Sequence, residues 1–218
     1  MRGWLVFLLT LVVLPVSAQQ IATVIPTAPD PTATHVIYLH GRIVEQLGPR
    51  PTDLRFGLYD YPAILEALAS KGATVISSQR SPSTNVNEYA GIVVAQVEEL
   101  IRRGVPSEHI VVVGFSKGGD IAIHASSFLR RPQVRFVLLG ACWDRPEEPQ
   151  LRLTGRVLSI YETSDSLAGE SCQSLTQHPE KPESFKEVRI STGLSHGAFY
   201  RPIKEWIDPV LEWIQSNG

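Results

Sequence analysis

Ile110-Val111-Val112-Val113-Gly114-Phe115-Ser116-Lys117-Gly118-Gly119 is the stretch on which the reading of this chain turns. Its first half is a short apolar, β-branched run, the composition of a strand covered on both faces. Its second half is a G-x-S-x-G turn, and beyond it Ile121, Ala125 and Leu129 recur at helical spacing. Strand, sharp turn and helix therefore follow one another with nothing between. A serine on so tight a turn carries strained backbone angles, and glycines two before and two after it, Gly114 and Gly118, let strand and helix approach without Cβ clashes. Its hydroxyl then stands at a helix N-terminus, where N–H groups face developing negative charge. A dinucleotide fingerprint fits poorly, because Ser116 occupies the position where a pyrophosphate needs bare backbone. A Walker-type phosphate loop is excluded, since no Gly-Lys-Ser/Thr closes the turn.

Outward from this motif, short apolar runs alternate with helix-patterned segments. The strand candidates are His35–Leu39, Ala73–Ser77, Ile110–Gly114, Val134–Gly140, Arg156–Tyr161 and Glu187–Ser191. Between them, Tyr61–Lys71 reads as a helix stopped at Gly72, and Val86–Arg103 as a longer one stopped at Gly104. Trp206, Val210, Trp213 and Ile214 form a C-terminal apolar stripe, within which Asp208-Pro209 is expected to restart or kink the helix. This alternation predicts an α/β domain, a mostly parallel open sheet with helices on both faces.

A serine hydroxyl alone is a weak nucleophile and needs a base and an orienting acid. Asp165 lies just beyond the strand Arg156–Tyr161, and His196 follows Glu187–Ser191 within Gly193-Leu194-Ser195-His196-Gly197. Both positions are carboxyl ends of strands, where sites in open α/β sheets collect. His196 is expected to take the Ser116 proton while Asp165 fixes its tautomer. Near the start of the domain, His35–Leu39 runs into His40-Gly41-Arg42, where the Arg42 backbone N–H can join that of Lys117 to bind an oxyanion. Asp144, after the strand Val134–Gly140, is the alternative acid. Glu162 reads as too close to its strand to reach, His40 as ordering its own loop, and His124 as a packed or capping residue.

The His40-Gly41 turn, the Gly114–Gly118 elbow, Asp165 and His196, in that order and each after its own strand, resemble the α/β-hydrolase family over about residues 35–215. The resemblance implies hydrolysis of an ester or related acyl bond through an acyl-enzyme, on a small-molecule acyl substrate, with no metal or organic cofactor. With no clear strand before His35, it implies a trimmed sheet lacking the family's first pair. The short stretch from Cys142 to Arg156 leaves no room for a helical cap, so an open site is expected. Two other readings stay open: a non-catalytic binding protein on the same scaffold, and an exported peptidase or acyltransferase with the same three residues.

The longest insertion, Arg42 to Tyr59, carries Glu45, Arg50 and Arg55 and reads first as a solvated connection. The competing reading has Arg42, Arg55 and Lys117 making the mouth electropositive, favouring substrates with a carboxylate or phosphate near the scissile bond.

The 218 residues are 43% hydrophobic and 19% charged, with a formal net charge of −2, enough apolar material for one sizeable core. Lysines and arginines are scattered and form no basic stripe, which argues against nucleic acid as a partner. Residues 1–18 combine Arg2, an apolar run from Trp4 to Leu14, Pro15 and the small-residue site Val16-Ser17-Ala18, the pattern of a signal peptide cleaved after Ala18. The run falls short of the roughly 20 apolar residues a spanning helix needs. Residues 19–34 read as a linker and 35–218 as one domain, giving a mature chain without a membrane span, secreted or periplasmic. In such a compartment Cys142 and Cys172 are expected to pair, and neither has a C-x-x-C or histidine spacing suited to metal.

Overall fold

The structure is a computed structural model. It describes residues 20–144, 147–148 and 150–216; the expected signal peptide lies outside the described residues. In chain order the elements are β1 (Gln20–Ala22), β2 (His35–Leu39), α1 (Arg42–Leu47), β3 (Thr52–Asp53), β4 (Gly57–Leu58), α2 (Tyr61–Ala69), β5 (Thr74–Ile76), α3 (Val86–Arg102), β6 (Ile110–Phe115), α4 (Lys117–Leu129), β7 (Arg135–Leu139), β8 (Arg156–Glu162), β9 (Ser184–Ile190) and α5 (Lys204–Gln215). Seven strands form one sheet in the order β1-β5-β2-β6-β7-β8-β9, and every pairing in it is parallel. The other two, β3 and β4, make a small antiparallel hairpin.

Side-chain alternation explains why the central strands read as continuous apolar runs. From β2, Val36 and Tyr38 enter one core and Ile37 and Leu39 the other; β6 divides Val111, Val113 and Phe115 from Ile110 and Val112 in the same way. The first core is closed by α2 and α5 through Ile64, Leu68, Trp206 and Val210. The second is closed by α3 and α4 through Val93, Val97, Ile121 and Ala125. A strand buried on both faces has no polar side to alternate with. Local capping sets the helix starts: the Asp60 side chain accepts from Ala63 N–H, and Asn85 accepts from Glu88 N–H.

Four expectations change. Within the presumed linker, Gln20–Ala22 adds to β5 as the edge strand, so the sheet begins with a parallel strand; three largely exposed residues held by backbone bonds leave no hydrophobic pattern to read. The strand expected at Glu187–Ser191 spans Ser184–Ile190, because its edge position leaves Ser184, Lys186 and Arg189 facing water, outside the apolar signature. The insertion Arg42–Tyr59 is built rather than loose, as α1 followed by the β3–β4 hairpin. Finally, α5 runs unbroken through Pro209, so Asp208-Pro209 starts no new helix.

A disulfide joins Cys142 and Cys172, 30 residues apart. Cys142 also pairs with Gly169 in a lone parallel bridge, so the chain leaving β8 is fastened to the chain leaving β7. By loop-closure entropy such a link contributes roughly 3 to 4 kcal/mol.

On α4, His124 places Nδ1 2.9 Å from the Asp120 carbonyl and Nε2 3.0 Å from Glu148 Oε1. Burial disfavours its charge, yet the acceptors Asp120 and Glu148 carry its pKa up to about 9. The folded protein therefore holds a proton that the unfolded chain sheds, a contribution complete below the unfolded value near pH 6.5 and lost as pH climbs through about 9. The melting temperature is expected to fall across that window, and His124→Gln to flatten the fall. Identical alkaline slopes for the two proteins would refute the assignment.

Candidate active site

Between β2 and β6 the order of the sheet reverses: the chain goes from β2 to β5 on one side and returns to β6 on the other. At such a point the carboxyl ends of the strands open a crevice. Into it β2 delivers His40-Gly41-Arg42 and β6 delivers Ser116. Ser116 joins β6 to α4 with φ 53° and ψ −121°, a strained conformation for any residue with a Cβ, while its N–H donates to Leu139 O at 3.0 Å. A Cβ on Gly114 would collide with the Gly118 carbonyl, and one on Gly118 with the Leu39 carbonyl. Only glycine at both positions lets the elbow close and brings the start of α4 against the end of β2. Arg42 and Lys117 are the first residues of α1 and α4, so neither N–H has an acceptor within its helix.

His196 Nε2 lies 2.9 Å from Ser116 Oγ, and Nδ1 lies 2.6 Å from Asp165 Oδ2. Asp165 is buried, which alone would raise its pKa, but its bond to His196 and the Leu167 and Ala168 N–H groups hold it below the usual carboxylate range. Those two amides meet Oδ1 at 2.9 and 3.3 Å, leaving Oδ2 for the imidazole. With Asp165 ionised, Nδ1 carries the ring proton and Nε2 is free to accept from Ser116. The Phe115 and Phe56 rings, 4.8 and 5.9 Å from the imidazole, wall it in. Ser195, immediately before it, has φ 52°, so backbone strain sits on both sides of the Ser116–His196 bond.

Glu162 has a role the sequence reading passed over. It reaches neither Ser116 nor His196 by a hydrogen bond, as expected, but its buried carboxylate joins the two loops that carry Asp165 and His196. Oε2 accepts from Ser164 N–H at 2.7 Å and Ser164 Oγ at 2.6 Å, and Oε1 from Thr192 N–H at 2.8 Å and Gly193 N–H at 3.1 Å. Ser164 Oγ in turn accepts from Ser195 N–H at 3.2 Å. Burial opposes ionisation, but this set of donors, Ser164 first, lowers the Glu162 pKa. The available signal was a carboxylate at the last position of a strand whose neighbour runs on into the Thr192-Gly193 loop.

The Ser116 cavity measures about 300 Å³ and is lined by Arg42, Arg55, Phe56, Leu167, Tyr200 and the imidazole, among others. Arg42 and Arg55 therefore stand where the electropositive reading put them. Lys117 does not: its ammonium turns inward to Glu45 Oε2 at 2.6 Å and the Thr84 carbonyl at 2.7 Å, because α4 starts against buried Glu45. Phe56, at the hairpin turn, packs on the histidine, so the insertion walls the site at that point, while much of the rest of it, Arg50 and Arg55 included, faces water as the solvated reading expects. Asp144 lines a different, larger cavity of about 710 Å³ with Trp143 and Glu170, and Asp165 alone of the two candidate acids meets the imidazole. His40 is buried, with Nδ1 donating to Gly41 O at 2.9 Å. Among the described residues no group of three or more His, Cys, Asp or Glu side chains is arranged to hold a metal ion.

No family model and no curated protein matches the sequence. Solved structures do match. SOBER1 of Arabidopsis thaliana aligns at a TM-score of 0.55 and 14% identity, covering 85% of this chain and 99% of its own. A protein described as a candidate dienelactone hydrolase, from Klebsiella pneumoniae, aligns at 0.58 and 13% identity, covering 88% of this chain and 90% of its own. The fold is the α/β-hydrolase fold. Within it, the seven-stranded parallel sheet carries Ser116, Asp165 and His196 on the turns after β6, β8 and β9.

Glu162→Ala would leave the Ser164, Thr192 and Gly193 N–H groups without their acceptor. The expected cost is about 3 kcal/mol or more in denaturant unfolding. A loss below about 1 kcal/mol would show that the two loops hold together without it.

Proposed function

We propose that this protein is an exported serine hydrolase that cleaves an ester or related acyl bond through an acyl-enzyme. The observation that carries the reading is the unbroken path from Ser116 Oγ through His196 to Asp165, at 2.9 and 2.6 Å, beside two helix N-termini. In this mechanism Oγ attacks the acyl carbon as its proton passes to Nε2, and the carbonyl electron pair moves onto oxygen. The Arg42 and Lys117 N–H groups receive that oxyanion. Its collapse expels the leaving group, protonated by His196, and a water deprotonated at Nε2 then releases the acid and restores Ser116. Asp165 stays ionised throughout and stabilises the imidazolium. Export is supported by the Cys142–Cys172 bond, since disulfides persist in oxidising compartments. Among the described residues no helix is long and apolar enough to cross a membrane.

The cavity, about 300 Å³, suits a small acyl compound and sits at the lower end of ligand pockets. Arg42 and Arg55 line it beside one acidic side chain, Asp53. Asp53 Oδ1 is engaged by the Arg55 and Phe56 N–H groups at 2.7 and 3.3 Å and stands 3.5 Å from Arg55 Nε. Arg42 is exposed at the mouth. The substrate of this reading is a small ester with an anionic group near the scissile bond.

A fluorophosphonate probe should label the wild type and leave Ser116→Ala unlabelled. Labelling that survives the substitution would move the nucleophile elsewhere. Among esters of equal acyl length, a carboxylate-bearing one should exceed its neutral counterpart in kcat/KM by about fivefold at low salt, the value of a solvent-exposed ion pair. Arg42→Gln, which keeps the backbone N–H, should erase most of that ratio. Equal kcat/KM for both esters in the wild type would reject the anionic preference while leaving the hydrolase reading intact.

A further inference from the structure

Behind the two N–H groups assigned to the oxyanion lies a buried ionic cluster that the mechanism above does not use. The Glu45 side chain is 0% exposed, that of Arg80 1% and that of Lys117 12%. Glu45 Oε1 accepts from Arg80 Nε at 2.8 Å, and Oε2 from Lys117 Nζ at 2.6 Å. Arg80 is tied in turn to the end of β2. Its Nη2 donates to the His40 carbonyl, and its backbone N–H donates to His40 Nε2 at 3.0 Å. Burial first, and then the Arg80 charge, push His40 down to about 3, so its ring is neutral and can accept that bond. Lys117 Nζ also donates to Thr84 O at 2.7 Å, in the loop before α3.

Taking a carboxylate and two cations out of water is costly, and apolar side chains of the same volume are often as stabilising or more so. What an ionic cluster adds is a fixed geometry. Here the distance it fixes runs between two helix starts: Glu45 lies in the first turn of α1, whose first residue is Arg42, and Lys117 is the first residue of α4. The bond from Glu45 to Lys117 thus spans the gap across which Arg42 N–H and Lys117 N–H must converge on one oxygen.

We propose that Glu45 is a positioning residue for the transition state. Seated on Arg80 and bonded to Lys117 Nζ, it clamps the starts of α1 and α4 so that both N–H groups meet the oxyanion. This role rests on the serine-hydrolase reading. A clamp of this kind acts on tetrahedral charge and not on the ground-state ester, so its loss belongs in kcat rather than KM.

The test is Ser116-dependent hydrolysis of p-nitrophenyl acetate by the wild type, Glu45→Gln, Lys117→Met, Lys117→Arg and the Glu45→Gln/Lys117→Met double variant, all of which keep the backbone N–H groups. Each is also titrated with phenylboronic acid, which accepts the Ser116 Oγ lone pair to become a tetrahedral anion, and melted. Glu45→Gln and Lys117→Met are expected to lower kcat roughly 10- to 100-fold with KM within about twofold, and to weaken boronate binding in step with kcat. Lys117→Arg, which restores a cation to Glu45, should recover most of the loss. The double variant should be no slower than the slower single one, because both remove the same link. If Glu45→Gln fails to fold, the two Lys117 variants decide by the same criteria. A folded Lys117→Met with kcat within about twofold of wild type, a loss carried in KM, unchanged boronate binding, or no recovery in Lys117→Arg would each overturn the role. Absence of Ser116-dependent turnover in the wild type would remove the hydrolase reading and this role together. Wild-type turnover with Lys117→Met undisturbed would remove this role alone.

Discussion

The first turn of α4 lies against the last residue of β2, closer than any side chain permits, and the rest of the site is built around that approach. Gly118 faces the Leu39 carbonyl and Gly114 faces the Gly118 carbonyl, each with no space for a Cβ. Close-packed interiors transmit such a constraint instead of absorbing it. With the elbow shut, Ser116 is held at φ 53°, its hydroxyl faces the crevice at the sheet's reversal point, and the starts of α1 and α4 become neighbours. Strain in one residue is sustained because two cores, one on each face of the sheet, hold β6 and α4 in place.

Two buried carboxylates then do related work at opposite sides of Ser116. Glu162 gathers the donors of the loops that bear Asp165 and His196. Glu45 gathers the Arg80 and Lys117 cations behind the Arg42 and Lys117 N–H groups. Neither touches the serine hydroxyl. Each ties together two segments that leave different strands of the parallel sheet, the loops after β8 and β9 for Glu162 and the starts of α1 and α4 for Glu45. The Cys142–Cys172 bond adds a covalent tie to the same acid-bearing loop. Identity of 13 to 16% with the structural neighbours, at TM-scores from 0.55 to 0.58, fits a scaffold defined by sheet order and elbow geometry rather than by particular core side chains.

Much of this was legible along the chain. The strand-turn-helix around Ser116 declares itself because glycine spacing, apolar run and helical period fall within about twenty consecutive residues, all local signals. Asp165 and His196 were readable because a parallel sheet brings every strand's carboxyl end to one edge, so order along the chain implies proximity in space. Their mutual distances were not, nor was the direction of Lys117: its ammonium is drawn to Glu45, 72 residues earlier, and no pattern near Ser116 records that. The start of β9, Ser184 to Lys186, and exposed Gln20–Ala22 escaped for a related reason, since edge strands are held by backbone bonds that leave little trace in side-chain type.

The amino-acid sequence by itself determined the layered α/β architecture, the tight turn that carries Ser116 and the order of serine, acid and histidine along the strand ends, because these depend on periodicity and on glycine's missing side chain. Tertiary structure alone decided which acid meets the imidazole, that the insertion walls the site, and that Glu45, Arg80 and Glu162 hold its parts in place. Those outcomes depend on the burial of charges far apart along the chain, and a buried charge is fixed by whichever partner the fold brings to it.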